Sequence, residues 1–359
     1  MKMAFVLFRY FPFGGLQRDF LRIAKACIAA GHSVRVYAMN WKGPLLDDLP
    51  VTLIPVAGQQ NHTRIRSFAH KLPEFLAKDP PDRIIGFNKM PGLDVYYAAD
   101  TCFQARAREN HGLFFRLTPR YQTLCKFEKA VFEKTAHTRI LLLSEAQKPL
   151  FMQYYQTPEE RFHILPPGIS RDFSARSNIR QKDSFELLFV GSGFRTKGLD
   201  RVLVALAALP PALSEKTRLT VIGEDHSSPF IRLSKKLGIE NRVDFLGGRP
   251  DVSDFMLTAS LLVHPARHEN TGTVLLEAAV SGLPVLTTDV CGYAKYIASS
   301  AAGAVLPSPF CQKTLNQHLR DMLSFEKLAV FSDRASDFAR NADIYSLPER
   351  AALLIGSLP

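Results

Sequence analysis

Residues 185–201 read FELLFVGSGFRTKGLDR: a nearly continuous apolar run, a glycine loop carrying Arg195 and Lys197, then the start of an amphipathic segment. A short continuous apolar run bounded by glycines reads as a parallel strand covered on both faces. A glycine loop leading from such a strand into a helix belongs to the ligand-facing end of a doubly wound sheet. The position of the stretch decides the fold, because a full series of such runs has already passed before it.

That earlier series is MAFVLF (3–8), SVRVYAM (33–39), VTLIPV (51–56), DRIIGF (82–87) and ILLLS (140–144), separated by longer amphipathic stretches. After FELLFV (185–190) the pattern repeats with TRLTVIG (217–223), RVDFLG (242–247), SLLVHP (260–265) and LPVLTT (283–288). At 359 residues the chain also exceeds the size at which one core usually stops growing. The expected fold class is therefore α/β, two Rossmann-like doubly wound domains in tandem with an interdomain cleft. The polar segment SRDFSARSNIRQKDS (170–184) lacks apolar periodicity and serves as the linker. The expected domains are 1–170 and 171–340, with 341–359 a C-terminal helix returning to the first domain.

Composition narrows the class of protein. Hydrophobic residues at 46% and charged residues at 22%, without low-complexity tracts, exclude a disordered chain. Five scattered cysteines, with no CxxC and no zinc-site spacing, favour reduced thiols in the cytoplasm and no structural metal. The start MKMAFVLFRYFPFGG fails as a secretory signal and reads as a buried strand. VLVALAALPPAL (202–213) comes nearest to a membrane span but falls short of the roughly 18 apolar residues required. The net charge of +11, from 45 Lys+Arg against 34 Asp+Glu, favours a polyanionic partner without choosing among phosphorylated substrates, anionic lipid and nucleic acid.

Three constellations could carry chemistry. In YFPFGGLQRDF (10–20), Gly14 and Gly15 follow the first strand and open a helix near Leu16. They suit close approach of backbone amides to an anion, or simply a tight turn. This is not GxGxxG, so a dinucleotide fingerprint is missing where it should stand. In the second glycine loop, Arg195 offers a fork and Lys197 a point charge to phosphate oxygens. Gly198 is followed by Leu199 and Asp200, which excludes a GxxxxGK[ST] triphosphate loop.

The third constellation is HPARHENTGTVLLE (264–277). Glu269 sits on the exit loop of a strand and Glu277 about one turn inside the next helix, with Thr271, Gly272 and Thr273 at the positive helix end between them. The carboxylates either flank an anion site or are helix-capping charges. Asp19 and Asp100 are further candidates, at the first helix and after DVYYAAD (94–100). Asp19 could instead pair with Arg18 or Arg22, and Asp100 could cap the next segment.

FQARARENHGLFFRLTPRYQTLCKFEKAVF (103–132) interleaves basic and aromatic residues. Arg106, Arg108, Phe114, Phe115, Arg116, Arg120, Tyr121 and Lys126 suit docking on an anionic membrane surface. Phe127, Val131 and Phe132 recur at helical spacing and suit the core. Nucleic acid is a third possible partner of the stretch.

These residues together resemble the GT-B glycosyltransferases of family 4, with Glu269 and Glu277 as the EX7E pair and Lys197-Gly198 as the KG pair. FRYFPFGGLQRDF (8–20), NKMPGLDVYYAAD (88–100), ILPPGI (164–169), GLPVLTTDVCGYAKYIA (282–298) and YSLPE (345–349) resemble, more narrowly, the lipopolysaccharide-core glucosyltransferases that act on the first heptose. The resemblance implies retaining transfer from UDP-glucose to a lipopolysaccharide inner-core acceptor, peripherally on the cytoplasmic face of the inner membrane. Fixed cations, helix ends and the lack of a DxD lead to the expectation of no metal and no cofactor, and carboxylates facing the basic glycine loop argue against nucleic acid. Asp100, Glu269 and Asp19 would be catalytic. Gly14, Gly15, Arg195, Lys197, Arg249, Thr271, Gly272, Thr273, Glu277 and Arg171 would bind the donor. Where such relatives carry Arg directly before the KG lysine, this chain has Thr196, with Arg195 one position earlier. A second basic position after PPGI falls on Phe173, leaving Arg171 nearby. Wider relatives present a histidine near the reacting sugar where this subgroup's matching loop carries Asp100. Two rivals remain at this point: a related transferase using another UDP-sugar, and a non-catalytic polyanion-binding protein.

Overall fold

The computed structural model describes residues 1–12, 14–110, 112–170 and 184–357. The chain divides into two units, Met1–Gly168 with Tyr345–Pro359, and Ile169–Ile344. The expected domain edges at 170 and 340 lie two and four residues from these. Helix Phe325–Asn341 closes the second unit, and the returning helix is Leu347–Ser357.

In unit 1 the strands are β1 (Lys2–Tyr10), β2 (Ser33–Trp41), β3 (Val51–Leu53), β4 (Arg83–Gly86), β5 (Val95–Ala98), β6 (Arg139–Leu142) and β7 (Phe162–Ile164). They form one parallel sheet in the order β3-β2-β1-β4-β5-β6-β7. Unit 2 holds β8 (Phe185–Val190), β9 (Thr217–Ile222), β10 (Val243–Phe245), β11 (Leu261–His264), β12 (Val285–Thr288) and β13 (Gly303–Leu306). Their order is β10-β9-β8-β11-β12-β13, again parallel throughout. Each sheet reverses its winding once, between β1 and β4 and between β8 and β11. Loops leaving the carboxyl ends of such strand pairs diverge and leave room for a ligand.

The apolar runs are continuous because both sheet faces are covered. Met3, Phe5 and Leu7 of β1 join Phe20 and Ile23 of helix Gly15–Ala29 and Leu347 and Ile355 of the returning helix in one core. Ala4 and Val6, pointing the other way, pack with Phe68 and Leu72 of helix Asn61–Leu76 and Val131 and Phe132 of helix Pro119–Phe132. Unit 2 repeats the device: Leu187 and Phe189 face Leu199 and Leu206, whereas Leu188 faces Leu275 and Ala279.

β7 and β13 are absent from the sequence reading. Phe162–Ile164 is three residues long and the four residues Gly303–Leu306 are mostly half-buried, so neither edge strand produces a long apolar run. β3 ends at Leu53 although VTLIPV continues to Val56, where Pro55 removes a ladder donor. All five cysteines are free thiols. Among the described residues no helix is long and apolar enough to cross a membrane.

Candidate active site

The loop after β8 runs through the short helix Phe194–Lys197 and Gly198 into helix Leu199–Ala207. Gly198 has φ +83°, and a Cβ there would stand 2.1 Å from the Pro265 carbonyl oxygen. Glycine therefore satisfies both a left-handed turn and a close backbone approach, seating this loop against the one after β11. Arg267 staples the two loops: its amide donates to Thr196 O at 2.8 Å and its Nη1 to Arg195 O at 2.8 Å. Its guanidinium also forks onto Asp200, with both contacts at 2.7 Å. That bidentate pair holds the Asp200 carboxyl below its usual range against the opposing effect of burial.

This stapling brings Lys197 to Glu269. The Lys197 ammonium donates to Glu269 Oε2, and His264 Nε2 lies 3.6 Å from the same oxygen. The side chains of Lys197 and Glu269 are 23% and 13% exposed, and His264 is fully buried. Burial alone would raise the Glu269 carboxyl, but the His264 contact and the Lys197 charge outweigh it and hold the carboxyl at about 2. Burial, chiefly, pushes His264 down against the upward pull of Glu269, leaving the imidazole neutral at pH 7. At 3.6 Å the His264 contact is longer than a good hydrogen bond. Its ring packs against Phe189, 6.0 Å between centroids.

Glu269 pairs as an isolated bridge with Cys291, and Thr271 O accepts the Tyr293 amide at 2.8 Å. Gly272, at φ +76°, precedes helix Thr273–Val280, and a Cβ there would approach Glu269 Cγ to 3.3 Å. The first amides of that helix, including Thr273, lack intrahelical acceptors by geometry. Glu277 is half-buried on the same helix. Lys197, Glu269, Thr271, Gly272, Thr273 and Glu277 thus lie on the loops and helix that follow β8 and β11.

Apart from Gly14 and Gly15, the remaining expected donor contacts are three arginines. Arg195 is exposed on the Lys197 loop. Arg249 is exposed beyond β10 and forks onto Asp251 at 2.8 and 2.7 Å. Arg171 lies outside the described residues. A cavity of about 310 Å³ in unit 2 is lined by Arg201, Arg267, His268, Asp289, Ser308 and Phe310 among others. Its two guanidiniums are engaged, Arg267 by Asp200 and Arg201 by the carbonyls of Pro265 and Ala266, so this hollow is poorly suited to a diphosphate.

In unit 1, Gly14 caps and Gly15 begins helix Gly15–Ala29. Asp19, in the second turn, accepts a hydrogen bond from Tyr97 Oη at 2.7 Å. Burial raises its carboxyl, opposed by Tyr97 and by Arg22 and Arg18. Asp100 is exposed just after β5. Among the described residues no group of three or more His, Cys, Asp or Glu is gathered as a metal site.

The basic, aromatic segment splits by orientation. Helix Phe103–Asn110 presents Arg106 and Arg108 outward, Arg108 lying 4.9 Å over the Tyr154 ring. In the turn Leu113–Leu117, Phe114 is 85% exposed. Phe115 and Arg116 are half-buried, as is Tyr121, whose ring meets Phe115 at 5.7 Å. Arg120 and Lys126 are exposed, whereas Phe127, Val131 and Phe132 are core. Leu117, 72% exposed, joins the outward apolar set without having been singled out in the sequence.

His264, Arg267, Asp200 and Tyr97 were likewise not assigned roles from sequence. A histidine closing an otherwise aliphatic strand, SLLVHP, was the available signal for His264. Nothing local pairs Arg267 with a residue 67 positions away.

Family models match both units: "Glycosyltransferase Family 4" over residues 13–173 and "Glycosyl transferases group 1" over 170–342. The chain is 46% identical over 368 residues to the lipopolysaccharide glucosyltransferase WaaG of Escherichia coli strain K12, covering 99% of this chain and 98% of the relative. It superimposes on a crystal structure of WaaG with TM-score 0.92 and 44% identity, covering 99% of this chain and 100% of that one. A structure of Anabaena Alr3699/HepE in complex with UDP-glucose shares the fold at 19% identity, with TM-score 0.75 and 100% coverage of both chains. With the EX7E carboxylates and the KG lysine on the loops of one doubly wound sheet, and with relatedness spanning both units, this chain belongs to the family 4 glycosyltransferases of GT-B fold.

Proposed function

We propose that the protein is a retaining glucosyltransferase that moves glucose from UDP-glucose to the first inner-core heptose of lipopolysaccharide. The observation that carries this reading is the 46% identity, over 99% of the chain, to a lipopolysaccharide glucosyltransferase. The Lys197–Glu269 pair supports it chemically.

Without donor, the Lys197 charge is spent on Glu269. An arriving diphosphate competes for that ammonium, with Arg195 and the amides of Gly272 and Thr273 as further donors. Glu269 then turns to the hydroxyls of the donor sugar and faces the positive charge that builds at C1, while Glu277 holds the ribose. Fixed cations and a helix end stabilise the departing phosphate, so transfer proceeds without a divalent ion or other cofactor. As the C1–O bond breaks, its electron pair leaves with the UDP phosphate. The acceptor oxygen bonds to C1 from the same face, and its proton passes to the leaving phosphate oxygen. Asp100 orients that hydroxyl, and Asp19, held by Tyr97, positions neighbouring groups.

The protein acts peripherally at the cytoplasmic face of the inner membrane. Exposed Phe114 and Leu117 enter the lipid interface, and Arg106, Arg108, Arg120 and Lys126 face anionic headgroups. The test is transfer by purified protein from a panel of UDP-glucose, UDP-galactose and UDP-N-acetylglucosamine to deep-core-truncated lipopolysaccharide. Glucose added with retention, at an unchanged rate in chelator, is expected. Preference for another sugar overturns the donor assignment, and loss of activity in chelator restored by manganese overturns the metal-free mechanism.

A further inference from the structure

Glu128 has entered none of the chemistry above, yet its carboxylate is fully buried and saturated with donors. Oε1 accepts from Lys89 Nζ at 2.6 Å and from the Phe103 amide at 2.7 Å. Oε2 accepts from the Gln104 amide at 2.9 Å and Tyr155 Oη at 2.6 Å. Lys89 also donates to Thr101 O at 2.7 Å, and its ammonium lies 5.8 and 5.5 Å from the ring centroids of Phe132 and Phe151.

Removing two opposite charges from water costs several kcal/mol per ion, and an apolar pair of like volume is often at least as stable. Stability alone therefore accounts poorly for the pair. Its partners point to another role: the Thr101 carbonyl and the Phe103 and Gln104 amides belong to the segment immediately following Asp100. Lys89 comes from the loop after β4, and Glu128 from helix Pro119–Phe132, whose outer side carries Arg120 and Lys126. The backbone immediately after the exposed Asp100 is thus held by a buried ion pair that joins two other elements.

We infer that Lys89 and Glu128 are positioning residues, which fix the 101–104 backbone and thereby set the Asp100 carboxylate for the acceptor hydroxyl. The inference rests on the role given to Asp100 above. Glu128 itself lies too deep to meet a substrate. Its effect is on turnover, because displacing a reacting group by about 1 Å can cost on the order of 100-fold in rate.

The test compares Lys89→Met/Glu128→Gln with wild type by thermal melting, by hydrogen exchange at residues 99–104, and by kcat and KM with UDP-glucose and deep-core-truncated lipopolysaccharide. Removing both charges together avoids stranding one of them, but one carboxamide oxygen cannot accept from both the Phe103 and Gln104 amides, so the variant folds with a stability loss of about 1–3 kcal/mol. Exchange at 99–104 rises about tenfold or more, kcat falls about 100-fold, and KM for UDP-glucose holds within about twofold because the Lys197 site is in the other unit. A folded double variant with wild-type kcat, or with unchanged exchange at 99–104, overturns the inference. Should the double variant not fold, Glu128→Asp keeps the charge on a shorter arm: reduced kcat at constant KM supports the inference, and wild-type kcat overturns it. Asp100→Asn separates the two levels. An inactive Asp100→Asn beside a fully active double variant removes the positioning role alone, whereas wild-type kcat in Asp100→Asn removes the role of Asp100 and the purpose of positioning it.

Discussion

Replacing Lys197 by methionine keeps most of the side-chain volume and deletes the charge beside Glu269. A carboxyl held at about 2 rather than 4.5 corresponds to about 3 kcal/mol, at about 1.4 kcal/mol per pH unit. Two groups oppose burial to produce that depression, the His264 contact and the Lys197 ammonium, and without the lysine burial is opposed by the His264 contact alone, so at least half of the net effect is lost. Partial exposure of both side chains, 23% and 13%, trims the loss further through solvent screening. Lys197→Met is therefore destabilised by about 1–2 kcal/mol at pH 7. The sign with pH follows from the direction of the shift. A depressed carboxyl contributes stability that is complete above its unfolded value of 4.5 and disappears as pH falls towards about 2. The difference between wild type and variant should be constant from pH 7 to about 5 and shrink on further acidification. Urea unfolding at pH 7, 5.5, 4 and 3 measures it, with Glu269→Gln and the double variant completing a thermodynamic cycle. Turnover should fall by about 100- to 1000-fold, the usual loss when one stabiliser of developing charge is removed. A variant within about 0.5 kcal/mol of wild type at pH 7, or a difference that grows on acidification, refutes the electrostatic account. Near-normal turnover refutes the assignment of Lys197 to the diphosphate.

Gly198→Ala combines a left-handed φ with a Cβ 2.1 Å from the Pro265 carbonyl, and should cost about 3 kcal/mol or more; a wild-type melting curve contradicts the loop seating. Arg267→Met frees the Lys197 loop from the Glu269 loop, so KM for UDP-glucose should rise with a stability loss of about 1–2 kcal/mol; unchanged KM shows that the staple does not shape the donor site. Phe114→Glu and Leu117→Glu alter side chains 85% and 72% exposed, so melting should stay within about 0.5 kcal/mol of wild type. Sedimentation with anionic vesicles should drop by about tenfold or more, and undiminished sedimentation excludes this turn as the docking point.

The strand series, its restart at residue 185 and the two glycine loops were legible because each is a local pattern. Nearly continuous apolar runs such as FELLFV are typical where helices cover both faces of the sheet, so the layer architecture is written into residue type. The short edge strands β7 and β13 were not legible: three or four residues with one open side give no run to count. The basic stretch at 103–132 was legible as basic and aromatic, with Phe127, Val131 and Phe132 marked for the core by their helical spacing, but the outward Leu117 and the half-burial of Phe115 and Arg116 were not legible. Phe114 and Leu117 both turn outward from the short turn after helix Phe103–Asn110, a placement that no periodicity within so short a turn encodes.

By itself the sequence determined the α/β class and the tandem repeat, since hydrophobic periodicity and glycine loops are short-range properties of the chain, and its resemblance to known strings marked the EX7E and KG residues and the family. Tertiary structure alone decided who meets whom. Lys197 finds Glu269 across 72 positions, Tyr97 finds Asp19 across 78, and Lys89 finds Glu128 across 39. The reason is physical: burial of an apolar face is satisfied by any suitable layer, and its pattern can be read locally. A charge or hydrogen bond is satisfied only by a particular group at about 3 Å, and strand order in the folded sheet determines which group that is.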